Sequence, residues 1–390
     1  MKILIIPSWY PPDGGSFFRE QSESIAKTGI DIDVFAQRIK GLRDIIKDPL
    51  LLTQKLQKYN ENELNVYRNI YIKYPLTEKY NILPWSKKIL KLFEVYISKE
   101  GLPDLVHAHS SLWAGYAAAI ISEKYNIPYI VTEHRSIFVE NNPIAQRNIK
   151  PFYKEIVSKS LKNASKIILV SNTLRKVLQE MEPSIHDRTV TIPNFININT
   201  YKPPVNKLPG TPFIFSSISH LEHVKGMDVL IKAFSIIKNR ISFPIILKIG
   251  GTGRQLSNLK SQAKQLGVEK DIIFSGRRLT RQEVATFMQN SHAFVLASRF
   301  EAFGVVLIEA MATGLPIIST RSGGPAEIIN NETGYLVDIE DPIKLAEAME
   351  SMINNYHNFD QSVIRKQAIQ KYSIESTIPK IIEIYKEVSN

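Results

Sequence analysis

Short apolar runs alternate with amphipathic stretches along most of this chain, and this alternation restricts its fold more than any other feature. Runs such as Ile3–Ile6 and Tyr129–Val131 are typical of buried strands, whereas Phe17–Lys27 and Trp113–Lys124 have the apolar spacing of helices. Parallel strands joined by crossover helices produce this order, so the pattern predicts the α/β class. The other strand candidates are Ile32–Ala36, Leu105–Val106, Ile167–Val170, Phe213–Ser216, Ile245–Ile249, Ile272–Phe274, Phe294–Leu296, Ile317–Ser319 and Tyr335–Val337.

A break divides this series into two parts. One apolar run ends at residues 191–196, and four prolines and a glycine then fall within residues 203–212, which is typical of a linker. The strand and helix candidates start again at Phe213. A length of 390 residues fits two or three domains. We therefore predict two doubly wound α/β domains that face each other across a cleft and are joined near residues 197–210.

Three segments need a separate interpretation. Gln37–Tyr80 is rich in Lys, Asn and Tyr and shows no clear strand–helix order, so we interpret it as an insertion that faces the cleft or the surface. Trp85–Phe93 is basic and amphipathic, which fits either a helix whose apolar face packs on the sheet or a contact with anionic lipid. Ile374–Val388 has one apolar helical face and is predicted to form a C-terminal helix.

Composition excludes several classes of site. The chain has no Cys, which excludes disulfides, thiolate catalysis and Cys-ligated metal centres, and its eight His residues lack the spacing of a metal site. No run approaches the ~20 apolar residues of a transmembrane helix. The apolar stretch in Met1–Ile6 is too short for a signal peptide. We therefore expect a cytoplasmic protein that binds no metal.

The net charge of +11 favours anionic partners. Residues 1–195 carry 27 Lys and Arg against 20 Asp and Glu, so the excess lies mainly in the first half. Such a surface suits phosphorylated substrates, anionic lipid or nucleic acid. Because no long Arg-rich run and no nucleic-acid-binding motif occurs, we expect no nucleic-acid partner. Peripheral contact with an anionic membrane, at the inner face of the cell membrane, is compatible with the charge.

Polar residues and glycines follow several of the predicted strands. Examples are Gly14-Gly15, Glu133-His134, Gly250–Gly253 and Glu301. In open parallel sheets, ligands bind beyond the carboxyl ends of the strands. Two such edges, one in each domain, predict one ligand for each domain.

The segment Phe300–Glu309 carries the sharpest signal. Glu301 lies in a loop just before a predicted helix, and Glu309 lies in the second helical turn among apolar residues, where a carboxylate is costly unless it is hydrogen-bonded. Two carboxylates placed in this way suit the hydroxyls of a sugar and a ribose. Unpaired N–H groups at the helix start suit a phosphate, and they belong to Phe303, Gly304 and Val305. Either Glu considered alone also fits an ordinary surface position, but the segment Phe300–Glu309 considered as a whole does not.

Three further positions have both a functional and a structural interpretation. Lys225 opens a helix and opposes its dipole, which a bound anion near Lys225 and His220 would explain, although a solvated loop Lys is the alternative. Gly14-Gly15 suits an oxyanion or an ordinary turn, and it lacks the G-x-G-x-x-G pattern of a nicotinamide dinucleotide site. His134, at a strand end, suits a substrate hydroxyl or a structural hydrogen bond.

A capping box is predicted at Thr280-Arg281-Gln282-Glu283, where it should begin a helix in a purely structural role. The preceding segment, Ser275–Arg278, borders the cleft. Its backbone suits the edge of a nucleotide base.

Together these elements resemble family 4 of the retaining, nucleotide-sugar-dependent glycosyltransferases, which have the GT-B fold. The resemblance covers essentially the whole chain. Its specific part is Glu301-x7-Glu309, followed by Gly-Leu-Pro at 314–316 and Gly323-Gly324-x-x-Glu327. Order and spacing also agree at Pro193-Asn194, Lys225-Gly226, Gly250–Gly253 and Gly14-Gly15.

The resemblance implies two Rossmann-like domains. Residues 1–196 plus the C-terminal helix 374–390 should bind the acceptor, and residues 197–373 should bind the nucleotide-sugar donor. The family usually has Arg where this chain has His220, so the second diphosphate contact departs from the pattern.

The resemblance also implies the roles of single residues. Glu309 should hold the donor ribose and Glu301 the donor sugar, with help from the amides of Phe303 and Gly304. Lys225 should neutralise the diphosphate, and His134 should lie near the transferred sugar and the acceptor. The remaining donor contacts are His220 at the diphosphate, Arg277 near the base, Gly14 and Gly15 at the phosphates, and Val305 and Gly251 in the donor-binding loops.

The implied reaction is a retaining transfer to a glycan or a lipid-linked acceptor, in bacterial surface polysaccharide or glycoconjugate synthesis. Glu301, His134 and Lys225 are its expected catalytic residues, and no cofactor is expected, because Lys225, His220 and helix N-termini would take the place of a cation. The alternatives are a GT-B-fold epimerase or phosphorylase, and a non-catalytic nucleotide-sugar-binding subunit. The His220 substitution favours the last of these.

Overall fold

The computed structural model describes residues 1–12, 14–52, 56–75, 78–140, 142, 151–205 and 210–389. The chain divides into two compact units. Unit 1 consists of Met1–Ile192 and Ile378–Asn390, and unit 2 consists of Pro193–Thr377. Each unit is built on a sheet of its own, so the two doubly wound, Rossmann-like domains predicted from the alternation of strands and helices are confirmed.

Unit 1 has one sheet, whose strands are β1 (Lys2–Pro7), β2 (Asp31–Lys40), β3 (Gln57–Glu61), β4 (Leu64–Ile72), β5 (Leu105–His109), β6 (Tyr129–Glu133), β7 (Lys166–Leu169) and β8 (Thr189–Thr191). Among the described residues their order is β3-β4-β2-β1-β5-β6-β7-β8. All neighbouring pairs are parallel except β3 with β4. The central strands β1, β5 and β6 are buried almost throughout, which explains why they are continuous apolar runs.

The interpretation of Gln37–Tyr80 as an insertion is wrong. The segment contains the hairpin of β3 and β4, and β4 pairs in parallel with β2 from Asp33 with Asn65 to Lys40 with Ile72. It therefore extends the main sheet at one edge. The pattern was hidden because the strands are rich in Tyr, Asn and Lys, and because an edge hairpin interrupts the strand–helix alternation.

Among the described residues before Pro193, the helices are α1 (Ser16–Ala26), α2 (Leu42–Lys47), α3 (Lys79–Glu100), α4 (Tyr116–Tyr125), α5 (Pro151–Lys162) and α6 (Arg175–Met181). The basic stretch Trp85–Phe93 lies within α3. Its large apolar side chains Trp85, Ile89 and Phe93 are buried in the core. Of the two interpretations of this stretch, the structure therefore agrees with a helix whose apolar face packs on the sheet.

Unit 2 has a second sheet, whose strands are β9 (Phe213–Ile218), β10 (Ile245–Gly250), β11 (Ile272–Phe274), β12 (Ala293–Leu296), β13 (Ile317–Thr320) and β14 (Gly334–Val337). In the described chain their order is β11-β10-β9-β12-β13-β14, and every pairing is parallel. The order reverses beside β9, and such a switch point is where open sheets bind ligands.

The helices that follow Pro193 are α7 (Met227–Arg240), α8 (Leu256–Gln265), α9 (Arg281–Gln289), α10 (Val305–Ala312), α11 (Pro325–Ile328), α12 (Pro342–Asn354), α13 (Gln361–Tyr372) and α14 (Ile374–Ser389). The predicted helix start near Gly304 is confirmed. Gly304 has φ 100°, a left-handed conformation that favours glycine, and α10 begins at the next residue. The predicted capping box at Thr280 is confirmed too, because Thr280 Oγ1 accepts from Glu283 N, and Thr280 N donates to Glu283 Oε2 at 2.8 Å.

Candidate functional site

The candidate donor site of unit 2 is built from loops at the carboxyl ends of its strands. The loop after β12 and the loop after β13 are joined by backbone hydrogen bonds: Glu301 N donates to Ser322 O at 2.8 Å, and Gly324 N donates to Glu301 O at 2.9 Å. A Cβ at Gly324 would overlap the backbone of Phe303. The two loops therefore support each other and fix the backbone of Glu301.

Lys225 and Glu301, both predicted site residues, form an ion pair. Lys225 Nζ lies 2.6 Å from Glu301 Oε2, and the Ser298 hydroxyl donates to the same oxygen at 3.3 Å. Gly226 sets this geometry because it has φ 61° and packs so closely on the end of β12 that a Cβ would overlap the carbonyl oxygen of Ala297. The side chains of Lys225 and Glu301 are 25% and 16% exposed, so both remain reachable by a ligand.

Glu309 lies on α10 and is largely buried. Its Oε1 accepts a hydrogen bond from the Tyr201 hydroxyl at 2.7 Å, and Arg281 lies 3.6 Å from the same oxygen. Burial of Tyr201 and then the neighbouring Glu309 carboxylate raise the pKa of Tyr201 well above its usual range, so it stays a donor. The two partners meet the requirement that a buried carboxylate be hydrogen-bonded and paired.

Sequence reasoning missed both of these partners. Tyr201 was included in the predicted linker, and Arg281 was assigned only to the capping box. Arg365 further fixes the linker, since its guanidinium donates to Tyr201 O at 2.6 Å and also to the carbonyl of Ala312 at the end of α10. No local pattern could have found these contacts, because they join residues far apart in the chain.

The start of α10 supplies free backbone donors. In the described part of the chain, no hydrogen-bond acceptor lies opposite the N–H groups of Phe303, Gly304 and Val305. These groups sit at the positive end of the helix dipole, next to Glu301. They can therefore bind an anion beside the Lys225–Glu301 pair.

The loop at Gly251 is positioned by backbone packing. Gly251 has φ 113°, a Cβ there would overlap the carbonyl oxygen of Ser219, and Gly251 N donates to Ser275 Oγ at 2.8 Å. His220 follows Ser219 with its ring 71% exposed and 3.8 Å from Glu222. The fold therefore holds the backbone beside His220 rigidly but leaves its side chain in solvent.

Arg277 lies after β11 and forms an ion pair with the capping-box residue Glu283 at 2.6 Å. Its side chain is 60% exposed. This ion pair ties Arg277 to the first turn of α9, which also carries Arg281. Its role near a base stays a prediction.

Gly14 and Gly15 connect β1 to α1 in unit 1. Both have left-handed φ angles, 122° and 69°, and a Cβ at Gly15 would lie 2.7 Å from the carbonyl oxygen of Trp9. Only glycine fits this turn without strain. The backbone geometry of the turn is therefore sufficient to explain both glycines. A contact of this turn with phosphates stays a prediction.

His134 belongs to a cluster of rings at the ends of β5 and β6. His134 Nε2 lies 3.2 Å from His109 Nδ1, and its ring packs on Phe17 and Phe18. His109 in turn packs against His107, with ring centroids 4.2 Å apart and the ring planes tilted by 36°. The nearby imidazoles are held neutral, because burial lowers the pKa of His107 to about 3 and that of His109 well below its usual value.

The C-terminal helix completes this cluster. His107 Nδ1 lies 2.6 Å from the Tyr385 hydroxyl of α14, and His107 Nε2 lies 2.7 Å from Thr132 Oγ1. Glu133, which the sequence placed at a strand end without a role, is buried and accepts from the N–H groups of Ser111, His134 and Arg135 at 2.8 Å each. This carboxylate holds the backbone that carries His134.

Neither a metal-binding cluster nor a membrane-spanning helix occurs in the described chain. Among the described residues, no group of three or more His, Cys, Asp or Glu side chains is arranged to hold a metal ion. No helix in the same part of the chain is both long enough and apolar enough to cross a membrane.

The chain matches two family models in succession. Residues 14–200 match Glycosyltransferase Family 4, and residues 199–371 match Glycosyl transferases group 1. An uncharacterized glycosyltransferase of Methanocaldococcus jannaschii is 28% identical over 394 aligned residues, covering 100% of this chain and 99% of the relative. The N-acetyl-alpha-D-glucosaminyl L-malate synthase of Bacillus anthracis is 25% identical, with 100% and 98% covered.

Solved structures agree in fold. Sucrose-phosphate synthase from Thermosynechococcus elongatus superposes with a TM-score of 0.82 at 20% identity, covering 99% of both chains. Anabaena HepE, solved in complex with UDP and glucose, superposes with a TM-score of 0.74 at 18% identity, with 99% of this chain and 100% of HepE covered. These likenesses support the two-domain fold read from the strand order.

Proposed function

We propose that this chain, which belongs to glycosyltransferase family 4 and has the GT-B fold, moves a sugar from a nucleotide-diphosphate sugar to a glycan or a lipid-linked acceptor with retention of configuration. Lys225, Glu301 and the free backbone N–H groups at the start of α10 lie together at the carboxyl ends of the strands of unit 2, and α10 also carries Glu309. This grouping is the observation that carries the proposal. Carboxylates for hydroxyls and positive groups for phosphates are the features that a sugar nucleotide requires.

The donor is proposed to lie along α10. Glu309, oriented by Tyr201 and Arg281, binds the ribose hydroxyls, and Glu301 binds hydroxyls of the sugar. Arg277 contributes near the base. The diphosphate lies at the N–H groups of Phe303, Gly304 and Val305, with Gly251, His220, Gly14 and Gly15 as the remaining proposed contacts.

Lys225 is proposed to change partners during the reaction. In the structure its ammonium lies 2.6 Å from Glu301 Oε2 and neutralises this carboxylate. When the donor binds, the diphosphate becomes the stronger anion, and Glu301 becomes available for the sugar. Together with the helix N-terminus, Lys225 stabilises the charge that develops on the leaving group, and we propose that this replaces a metal ion.

The transfer itself is proposed to occur on one face of the sugar. The bond between the anomeric carbon and the phosphate oxygen breaks, and the acceptor oxygen forms its bond on the same side. The acceptor proton passes to the departing phosphate, so no protein base is required. His134, whose ring lies against His109 and whose backbone N–H donates to Glu133, is proposed to bind a hydroxyl of the transferred sugar or the acceptor.

The acceptor is proposed to belong to bacterial surface polysaccharide or glycoconjugate synthesis. A cytoplasmic enzyme of this kind works on activated sugars and meets lipid-linked acceptors at the inner face of the membrane. The net charge of +11 supports peripheral contact with an anionic bilayer.

A transfer assay tests this proposal. The protein is incubated with UDP-, GDP-, ADP- and dTDP-sugars and a lipid-linked acceptor fraction, and release of nucleoside diphosphate is followed together with the anomeric proton coupling of the product. Release with one donor, an unchanged anomeric configuration and loss of turnover in Glu301→Gln are expected. An inverted product would contradict retention, near-normal turnover of Glu301→Gln would contradict the site, and isomerisation of the donor without release would indicate an epimerase.

A further inference from the structure

A short segment between β2 and β3 exposes large aliphatic side chains. Leu42, Ile46 and Leu50 are 48%, 80% and 72% exposed. Leu42 and Ile46 are four residues apart on α2 and so lie on one helix face, and Leu50 follows in the next turn. No residue of α2 is buried, so this helix does not pack on the core of unit 1.

The same segment carries cations without ion-pair partners. In the part of the chain that the structure describes, Lys40, Arg43 and Lys47 have no carboxylate within salt-bridge distance, unlike many other lysines of unit 1. The two acidic side chains of the segment are engaged by the backbone: Asp44 accepts from Gly41 N at 2.8 Å and Asp48 accepts from Leu50 N at 3.2 Å. The cations are therefore available to an external anionic partner.

An exposed tyrosine lies at the same edge of the sheet. Lys73 N donates to Lys40 O at 2.7 Å, which brings the end of β4 beside the start of the segment. The next residue, Tyr74, is 51% exposed. Tyrosine is enriched at membrane–water interfaces, where its ring lies in the apolar region and its hydroxyl in water.

We propose that residues 40–50, with Tyr74 beside them, dock unit 1 on the surface of an anionic bilayer. Aliphatic side chains that alternate with unpaired cations fit the boundary between acyl chains and anionic headgroups. A second copy of the chain fits less well, because three aliphatic residues supply far less than the ~800 Å² per partner of a stable interface, and the cations of two copies would repel.

This proposal names the residues for the membrane contact proposed above, and it replaces the Trp85–Phe93 stretch, whose apolar face is core. None of its residues is among the proposed donor contacts. The test therefore needs no donor and no acceptor.

The test is co-sedimentation of the full chain with vesicles of phosphatidylglycerol and phosphatidylcholine, and with vesicles of phosphatidylcholine alone. We expect binding to the anionic vesicles that weakens with added salt. The triple variant Leu42→Ser, Ile46→Ser, Leu50→Ser should lower the partition coefficient by about tenfold or more, and Arg43→Gln with Lys47→Gln should lower it and remove most of the salt dependence. Ile343→Ser, at a position 52% exposed in unit 2, is the matched control and should bind like the wild type.

Thermal unfolding of each variant shows that it is folded. Failure of the wild type to bind anionic vesicles, or unchanged binding of the triple variant, would overturn the proposal. A concentration-dependent dimer in analytical ultracentrifugation that the triple variant loses would also overturn it and assign the surface to a second copy.

Discussion

The ammonium of Lys225 lies 2.6 Å from a carboxylate oxygen of Glu301, although the two residues are separated by 76 positions in the chain. The pair exists because Gly226 lets the start of α7 pack against the end of β12. A cation held beside a carboxylate can move to a phosphate that binds nearby, and the carboxylate can then accept hydrogen bonds from hydroxyls.

Lys225→Met should reduce kcat/KM for transfer by about 10²–10³-fold, because it removes the charge that stabilises the leaving diphosphate. Steady-state kinetics with a saturating acceptor measures the effect. Lys232→Met is the matched control, since Lys232 is exposed on α7, the helix that follows Lys225, and should keep wild-type activity. Near-normal turnover of Lys225→Met would remove Lys225 from the mechanism.

Tyr201→Phe should weaken nucleotide binding by about tenfold, because Glu309 loses a hydrogen bond of the kind that is worth ~1.5–3 kcal/mol when the acceptor is charged. Isothermal titration with the nucleoside diphosphate measures this loss. Tyr335→Phe, in which the removed hydroxyl makes no hydrogen bond in the described chain, should bind like the wild type. Equal affinities for the two variants would show that Tyr201 does not orient Glu309.

Gly251→Ala should destabilise unit 2 by more than about 4 kcal/mol, because the new Cβ would overlap the Ser219 carbonyl at a left-handed φ of 113°. Gly267→Ala is the control for the backbone alone: its φ is 69° and nothing lies within 4 Å of the new Cβ. It should cost only about 1–2 kcal/mol. Calorimetry compares the two, and similar costs would contradict the proposed packing of this loop.

Unit 1 should lose stability as the pH falls below about 6.5. Burial lowers the folded pKa of His107 to about 3 and depresses that of His109, so between these pH values the unfolded chain binds protons that the folded chain excludes. Each such group changes the free energy of unfolding by ~1.4 kcal/mol per pH unit, with stability rising as the pH rises.

Tryptophan fluorescence can follow this loss in unit 1 alone, because all three Trp residues, Trp9, Trp85 and Trp113, lie in that unit. His107→Asn should be less stable at neutral pH, since Tyr385 and Thr132 lose their partner, but its pH dependence should be shallower. His186→Asn is the control, with a side chain that is 79% exposed. An unchanged slope in His107→Asn would contradict a buried neutral His107.

The sequence allowed most of the strands, the start of α10 and the capping box at Thr280 to be predicted, because each depends on residues close together in the chain. The strands β3 and β4 of the edge hairpin were missed, since Tyr, Asn and Lys mask their alternation, and the three-residue strand β8 was missed as well. The partners of the site were also missed. Tyr201 reaches Glu309 across 108 positions and Tyr385 reaches His107 across 278, and such contacts are set by the packed fold rather than by a local pattern.

The most direct test of the donor site is nucleotide binding measured with UDP, GDP, ADP and dTDP on the wild type and on Glu309→Gln, which keeps an acceptor for Tyr201. At about 100-fold excess over Kd, a ligand that binds only the folded protein adds about 2.7 kcal/mol of stability, so a thermal shift can detect it. We predict a clear shift with one nucleotide and its loss in Glu309→Gln at an unchanged ligand-free melting temperature. No shift with any nucleotide, or an equal shift in both proteins, would contradict the donor site.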